Sequence, residues 1–339
     1  MSDATEVLNE QLTRGDFFLC ASERQRHFYL GQLAALGRIN PSNYAGDPDL
    51  AGLISVVPFG LDKAQPQHEK QVLKSVVPGI EADDRVILWS GGLYNWFDPK
   101  TLIRAVAVLS ARRPNVRLFF QGTKHPHPGV PEMAVVAESK QLASELGALN
   151  RTVFFNASWV DYADRQNFLT EADAGVSTHF AHIETTFSFR TRVLDYLWAE
   201  LPMVLTRGDY FAELVETENL GVVVDAGDED QLAAALEKVL FDEEFIQEVT
   251  ENIRRVRQQF FWENALSPLL AFVGKPHYAA DRVAGGQLNS GTSPDRRRPR
   301  RRMKKHGVRH DLGLVVFYFR NGGLPVIARK IKNRLGRRG

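Results

Sequence analysis

Apolar residues in this chain gather in short unbroken runs, and between the runs they recur every three or four positions. Runs of the first kind suit buried strands and the second kind amphipathic helices. From Asp84 the two alternate regularly. Arg85 to Ser90, Val116 to Gln121, Val153 to Phe155, Ala174 to Thr178, Met203 to Thr206 and Gly221 to Val224 read as strands. Helices are expected from Asp98-Pro99, over 131–146 and 162–172, from about Arg190, and over 211–218 and 228–240. Asp98 before Pro99 and Asp228 before Gln231 are helix-capping arrangements. Such alternation predicts an α/β fold, a doubly wound parallel sheet with helices on both faces. Ligands of these sheets lie at the carboxyl ends of the strands.

The flanks are less regular. The first residues are polar and read as frayed. Asp16 to Ser22 and Ser55 to Gly60 predict two strands, with helices over 23–37 and near 47–54, and residues 61–76 read as a connecting stretch. Beyond the sheet, helix is expected over 241–261 and 262–272. Residues 276–310 turn to Gly, Ser and Arg and read as a basic flexible linker. In 311–339, Leu324, Ile327, Ala328, Ile331 and Leu335 form one helical face among basic residues, which predicts an amphipathic helix. The domains expected are therefore 1–75, 76–275, 276–310 and 311–339.

Candidate chemistry concentrates in 179–206. A strand ends before His179, a polar loop carries His182 and Glu184, and Arg190, Arg192 and Asp195 stand at the expected helix start. Guanidinium forks suit a diphosphate and carboxylates suit sugar hydroxyls. The plainer reading of Arg192 and Asp195, three apart on a helix, is an ion pair on a solvated face. The two histidines and Glu184 match no strong metal-ligand spacing. Gly91 and Gly92, after the first strand of the regular region, allow either a tight turn or close backbone approach to a phosphate. Trp96 reads as packing.

Charge adds an asymmetry that the formal net of +1 hides. From Arg296 onward there are 16 Lys/Arg and one acid, leaving 26 basic and 40 acidic residues before it, so a body near −14 precedes a tail near +15. A basic tail bearing an apolar stripe favours an anionic membrane surface over nucleic acid. No apolar run is long enough to span a bilayer and no signal pattern opens the chain, so the expected location is cytoplasmic, peripheral at the inner face of the membrane. Cys20, the single cysteine, sits in an apolar run and reads as buried.

The segment from Glu184 and Phe187 through Arg192-Val193-Leu194-Asp195-Tyr196 to Glu200-Leu201-Pro202-Met203-Val204 resembles the donor-site signature of retaining GT-B glycosyltransferases of the group 1 type. Gly122, Trp159-Val160 and Gly208-Asp209 with Glu213 agree with it. The 91–99 and 187–194 segments look like a bacterial subgroup acting on cell-surface polysaccharides. The resemblance covers about 84–272. It departs from the pattern in four respects: Asp195 replaces a Glu, Glu200 stands where Gly is common, the loop between Glu184 and Asp195 is longer than usual, and the usual Arg and Lys after the first strand are missing apart from Lys100.

That resemblance implies transfer of a hexose from a nucleoside-diphosphate sugar to a glycan or lipid-linked acceptor, with retention, needing neither metal nor further cofactor. Glu184, Arg190 and Arg192 would be catalytic. Gly91, Gly92, Gly122, Trp159, Val160, His179, Phe187, Ser188, Phe189 and Asp195 would bind the donor. Residues 1–75 would be a remnant of the acceptor-binding domain, with a separate acceptor domain as a candidate partner. The alternatives are a non-catalytic nucleotide-sugar-binding fragment and a GT-B-like nucleotide-sugar epimerase.

Overall fold

In the computed structural model, which describes residues 2–123, 127, 132–156 and 158–283, the regular region forms one six-stranded sheet. The elements before it are α1 (Ser2–Arg14), β1 (Phe18–Cys20), α2 (Glu23–Ala35), α3 (Pro41–Tyr44) and β2 (Ile54–Val56). There follow β3 (Arg85–Gly92), α4 (Pro99–Arg112), β4 (Val116–Gly122), α5 (Ala134–Glu145), β5 (Val153–Phe155), α6 (Arg165–Glu171), β6 (Ala174–Ser177), α7 (Ile183–Phe187), α8 (Arg192–Trp198), β7 (Met203–Thr206), α9 (Tyr210–Glu218) and β8 (Gly221–Val224). The last helices are α10 (Glu229–Phe241), α11 (Glu243–Val256), α12 (Trp262–Ala265) and α13 (Ser267–Gly274).

Strand order in the large sheet is β5-β4-β3-β6-β7-β8, and every pair is parallel. Alternate residues of each strand enter opposite cores. Ile87, Trp89, Leu118 and Phe120 pack with α4, α5 and α10, whereas Val86, Leu88, Phe119 and Met203 pack with α6, α8, α9 and α11. Order reverses between β3 and β6, and there the pairing stops at Leu88↔Gly175. Tyr196 of α8 takes over: its hydroxyl accepts from Ser90 N at 3.0 Å and lies 3.0 and 2.8 Å from the carbonyls of Leu88 and Val176. A β-carbon on Gly175 would fall 2.4 Å from the Tyr196 ring. Burial pushes the Tyr196 phenol up to about 12, so the hydroxyl keeps its proton as a donor.

The stretch 61–76 has no helix or extended strand, yet it is pinned to the large sheet's helices. Glu171 accepts from the backbone amides of Val72, Leu73 and Lys74 at 2.8, 2.9 and 2.8 Å, and Leu73 is fully buried. Residues before it form a small third core around Leu33, Ile54 and Cys20 under a two-stranded parallel sheet, β1 with β2. Burial pushes the Cys20 thiol up to about 11, which keeps it unreactive.

Several local expectations are corrected. The N-terminus is helical, because α1 places Leu8 and Leu12 on the small core. No helix forms over 47–54: Asp47 bonds the amides of Ala51 and Gly52, and turns lead into a strand of three residues. Helix over 241–261 breaks at Asp242, whose carboxylate caps α11 through Phe245 N. α5 begins at Ala134, and α8 at Arg192, two residues later than expected. The polar loop after His179 contains the short helix α7.

Residues 275–283, where the basic linker was expected to begin, dock on the small core. Asp281 accepts from Arg38 Nε and Nη2 at 2.7 and 3.2 Å, and Arg38 Nη1 also reaches the carbonyls of Leu12, Thr13 and Gly15. The rest of the expected linker and the 311–339 helix lie outside the described residues. Among the described residues no helix is long and apolar enough to cross a membrane.

Candidate active site

Beside the order reversal, the turns after β3 and β4 meet. Gly91 has φ +77°, a conformation that side chains disfavour, and a β-carbon on Gly122 would fall 2.4 Å from the Gly91 carbonyl. Beside them lies a cavity of about 360 Å³. Gly91, Gly92, Gly122, Trp159, Val160 and Asp195 line it, so six of the residues singled out in the sequence converge there. Gln121, Tyr162 and Arg165 line it too and were not foreseen. A shallower depression of about 450 Å³ around Lys63, Arg254 and Phe261 shares none of these residues.

Asp195 is held from both sides. Ser90 Oγ donates to one carboxylate oxygen at 2.9 Å and Arg165 Nε to the other at 3.2 Å. Arg165 is itself fixed between rings, 3.5 Å from the Tyr162 centroid and 4.6 Å from that of Trp198. Burial raises the Asp195 pKa above the ordinary 3.8, although Arg165 and Ser90 act to lower it. The plainer alternative, an Arg192–Asp195 ion pair on a solvated face, is not formed: Asp195 pairs with Arg165.

Arg192 is instead buried, 8% exposed. Its Nη2 donates to the Gly92 carbonyl at 2.8 Å, and its guanidinium carbon lies 4.3 Å from both the Trp89 and the Phe97 centroids. Nη1 has no hydrogen-bond partner among the described residues, and no carboxylate there lies within 4.0 Å. Burial pulls its pKa down to about 10, so it remains a cation at neutral pH.

Arg190 and Glu184 clasp each other, Nη1 to Oε1 at 3.0 Å and Nη2 to Oε2 at 2.7 Å. Ser188 Oγ donates to the same carboxylate at 2.6 Å. Burial pushes the Glu184 pKa up, but the bonds from Arg190 and Ser188 outweigh it and hold the group below its usual 4.5. Behind Arg190, Asp209 lies 3.7 Å from Arg190 Nε and 3.6 Å from His179 Nε2. His179 is 1% exposed and does not line the cavity.

Phe187 and Phe189 face other neighbours. The Phe187 ring meets Phe28 at 5.0 Å and its carbonyl accepts from Gln25 at 2.9 Å, while Phe189 packs on Phe211 and Phe59. Arg24 reaches the Thr186 carbonyl at 3.5 Å and Glu213 of α9 at 2.7 Å, so α2 ties the segment that carries Glu184 to α9. Trp96, expected to pack, is 42% exposed and stacks on Tyr94 at 4.8 Å. Asp98 caps α4 as expected, accepting from Thr101 N at 3.1 Å. Among the described residues no three His, Cys, Asp or Glu side chains are arranged to hold a metal.

Two of the missed residues had little signal. Arg165 lies 30 positions from Asp195, and only the parallel order of β5 and β6 around β3 and β4 brings them together. Gln121 ends an apolar strand, where a polar side chain just before Gly122 was the available hint.

The fold is shared with solved structures of low sequence identity. Sucrose-phosphate synthase from Thermosynechococcus elongatus superposes with a TM-score of 0.56 at 17% identity, over 81% of this chain and 62% of that one. WaaG, a glycosyltransferase involved in lipopolysaccharide biosynthesis, gives 0.50 at 19%, over 80% and 63%. Anabaena HepE in complex with UDP-glucose gives 0.53 at 19%, over 66% and 57%. This chain thus spans less than two thirds of the length of each. No curated protein matches its sequence. The family model described as glycosyl transferases group 1 matches residues 73–256, more than half of the chain. The chain therefore belongs to the glycosyl transferases group 1 family.

Proposed function

We propose that this protein transfers a hexose from a nucleoside-diphosphate sugar to a hydroxyl of a glycan or lipid-linked acceptor, with retention at the anomeric carbon. The observation that supports the reading is that Arg192, whose Nη2 donates to the Gly92 carbonyl at the cavity wall, is a buried cation with an Nη1 that has no hydrogen-bond partner and no carboxylate within 4.0 Å among the described residues. A charge in that state is stabilised by a bound anion. As the C1–O bond to the diphosphate breaks, negative charge grows on the leaving phosphate, and a cation fixed in a dry site lowers that barrier most. Asp195 accepts from ribose hydroxyls. Glu184 accepts from the hexose hydroxyls after exchanging Arg190 and Ser188 for them, which orients C1. HepE, of the same fold, binds UDP-glucose, and that supports the donor class.

Calorimetry with UDP, GDP and ADP tests it. Arg192→Ala is expected to weaken the preferred nucleotide at least tenfold, and unchanged affinity would sink the assignment. A second reading has a specific observation behind it. Among the described residues ahead of the large sheet the strands form a two-stranded sheet; on this second reading a separate domain supplies the acceptor half, and this chain alone binds the donor without transferring it. Transfer assays with and without a candidate acceptor domain separate the two. The charge and apolar stripe of the basic tail support a location on anionic lipid at the inner face of the membrane. Sedimentation with anionic liposomes should then be lost in a chain ending near Gly285.

A further inference from the structure

Gln121, the penultimate residue of β4, stands at the wall of the cavity and is 6% exposed, yet its side-chain nitrogen Nε2 has no hydrogen-bond partner among the described residues. The backbone around it is satisfied. Asn156 Nδ2 donates to the Gln121 carbonyl at 3.1 Å, and Asn156 N donates to Phe120 O at 2.9 Å. Asn156 Oδ1 then accepts from Ser158 N at 3.3 Å, so the same residue ties β4 to the loop that carries Trp159 and Val160. Strand alternation settles which way the amide stands. Phe119, two residues earlier, packs on the α6 and α8 side with Phe168, while Leu118 and Phe120 enter the opposite core. Gln121 therefore stands on the sheet face of Val160 and α8, in the cavity it lines with Arg165 and Asp195.

A primary amide buried without a partner lowers stability, and native proteins rarely keep one without a reason. A leucine would fill similar space at no such cost. We infer that Gln121 determines base specificity, donating from Nε2 to a carbonyl oxygen on the edge of the bound nucleobase. This rests on reading the cavity as the nucleotide site. Asp195 takes the ribose hydroxyls, and Gln121 lines the same cavity with Trp159 and Val160. Uracil and guanine present an exocyclic carbonyl oxygen where adenine presents an amine, which cannot accept. A site built to donate one hydrogen bond discriminates against a partner that leaves the donor unpaired.

The test measures UDP, GDP and ADP binding and thermal stability for the full chain and for Gln121→Leu and Gln121→Met. The wild type is expected to prefer UDP or GDP over ADP by about tenfold. Both substitutions should erase that preference by weakening the favoured nucleotide, with Tm unchanged or raised because an orphaned polar group has gone. Equal binding of the three nucleotides by the wild type overturns the inference. So does a preference that survives in both variants, or a Tm that falls in both along with affinity, which would mark Gln121 as structural. A wild type that binds none of the three overturns the nucleotide reading of the cavity together with the inference. Binding that the substitutions leave untouched overturns the Gln121 assignment alone.

Discussion

Arg165 and Asp195 meet across the cavity at 3.2 Å although they come from different helices. Even so, the carboxyl group keeps a pKa above its ordinary value, because burial outweighs the neighbouring cation and the Ser90 hydroxyl. Such a group disfavours folding when ionised. Below pH 3.8 it is protonated in both states and contributes nothing; as pH rises, the unfolded chain ionises first and stability falls, reaching its full loss above the folded pKa.

Asp195→Asn is accordingly expected to raise Tm at pH 7 while weakening nucleotide binding about tenfold, since an amide accepts fewer hydroxyl donors. Its advantage in Tm should shrink as pH drops toward 3.8. Melting curves from pH 7 downward check this, and an undiminished gain at acid pH would contradict it.

Glu171 behaves in the opposite sense. Burial pushes its pKa up, but His68 and the three amides of residues 72–74 outweigh that and hold it below 4.5. Its contribution is fully present above pH 4.5 and disappears as pH falls through the lowered folded value. Glu171→Gln should cost about 1.5–3 kcal/mol in urea unfolding at pH 7. The two proteins should converge in acid. A constant difference across that range would show that the carboxylate charge is not what holds 72–74.

The alternation of runs and helical periods announced the six strands of the large sheet, because the inner strands are buried on both faces and all six read as nearly continuous apolar sequence, the partly buried edge strand β8 included. It failed where a few polar contacts decide. Asp47 turns the chain at 47–54, Asp242 divides one helix into two, and α7 forms in a stretch with no apolar period. The site shows the same division. Gly91, Gly122 and Asp195 were recognisable because their backbone position and chemistry are local properties. Arg165 and Gln121 matter through neighbours distant in sequence, and the burial of Arg192 depends on Trp89 and Phe97. No spacing within 179–206 contains that information.

Glu200 explains one departure from the family pattern. Its φ of +59° is left-handed, where glycine is at ease, and its carboxylate pairs with Arg257 at 3.1 Å and Arg254 at 2.6 Å. Glu200→Gly and Glu200→Ala both remove those pairs, but only alanine keeps the backbone penalty. Glu200→Ala should therefore be the less stable of the two by about 1 kcal/mol. Equal stabilities in urea titrations would mean that the turn relaxes away from the left-handed region.

Gly175 and Tyr196 are in effect one inherited choice. The tyrosine ring fills the space of any side chain at 175, and its hydroxyl replaces the strand pairing that ends there. Mutating either position alone meets a clash or leaves an amide stranded, so a selection that varies single sites will return the starting residue at both. Drift at this point of the sheet has to pass through a double change.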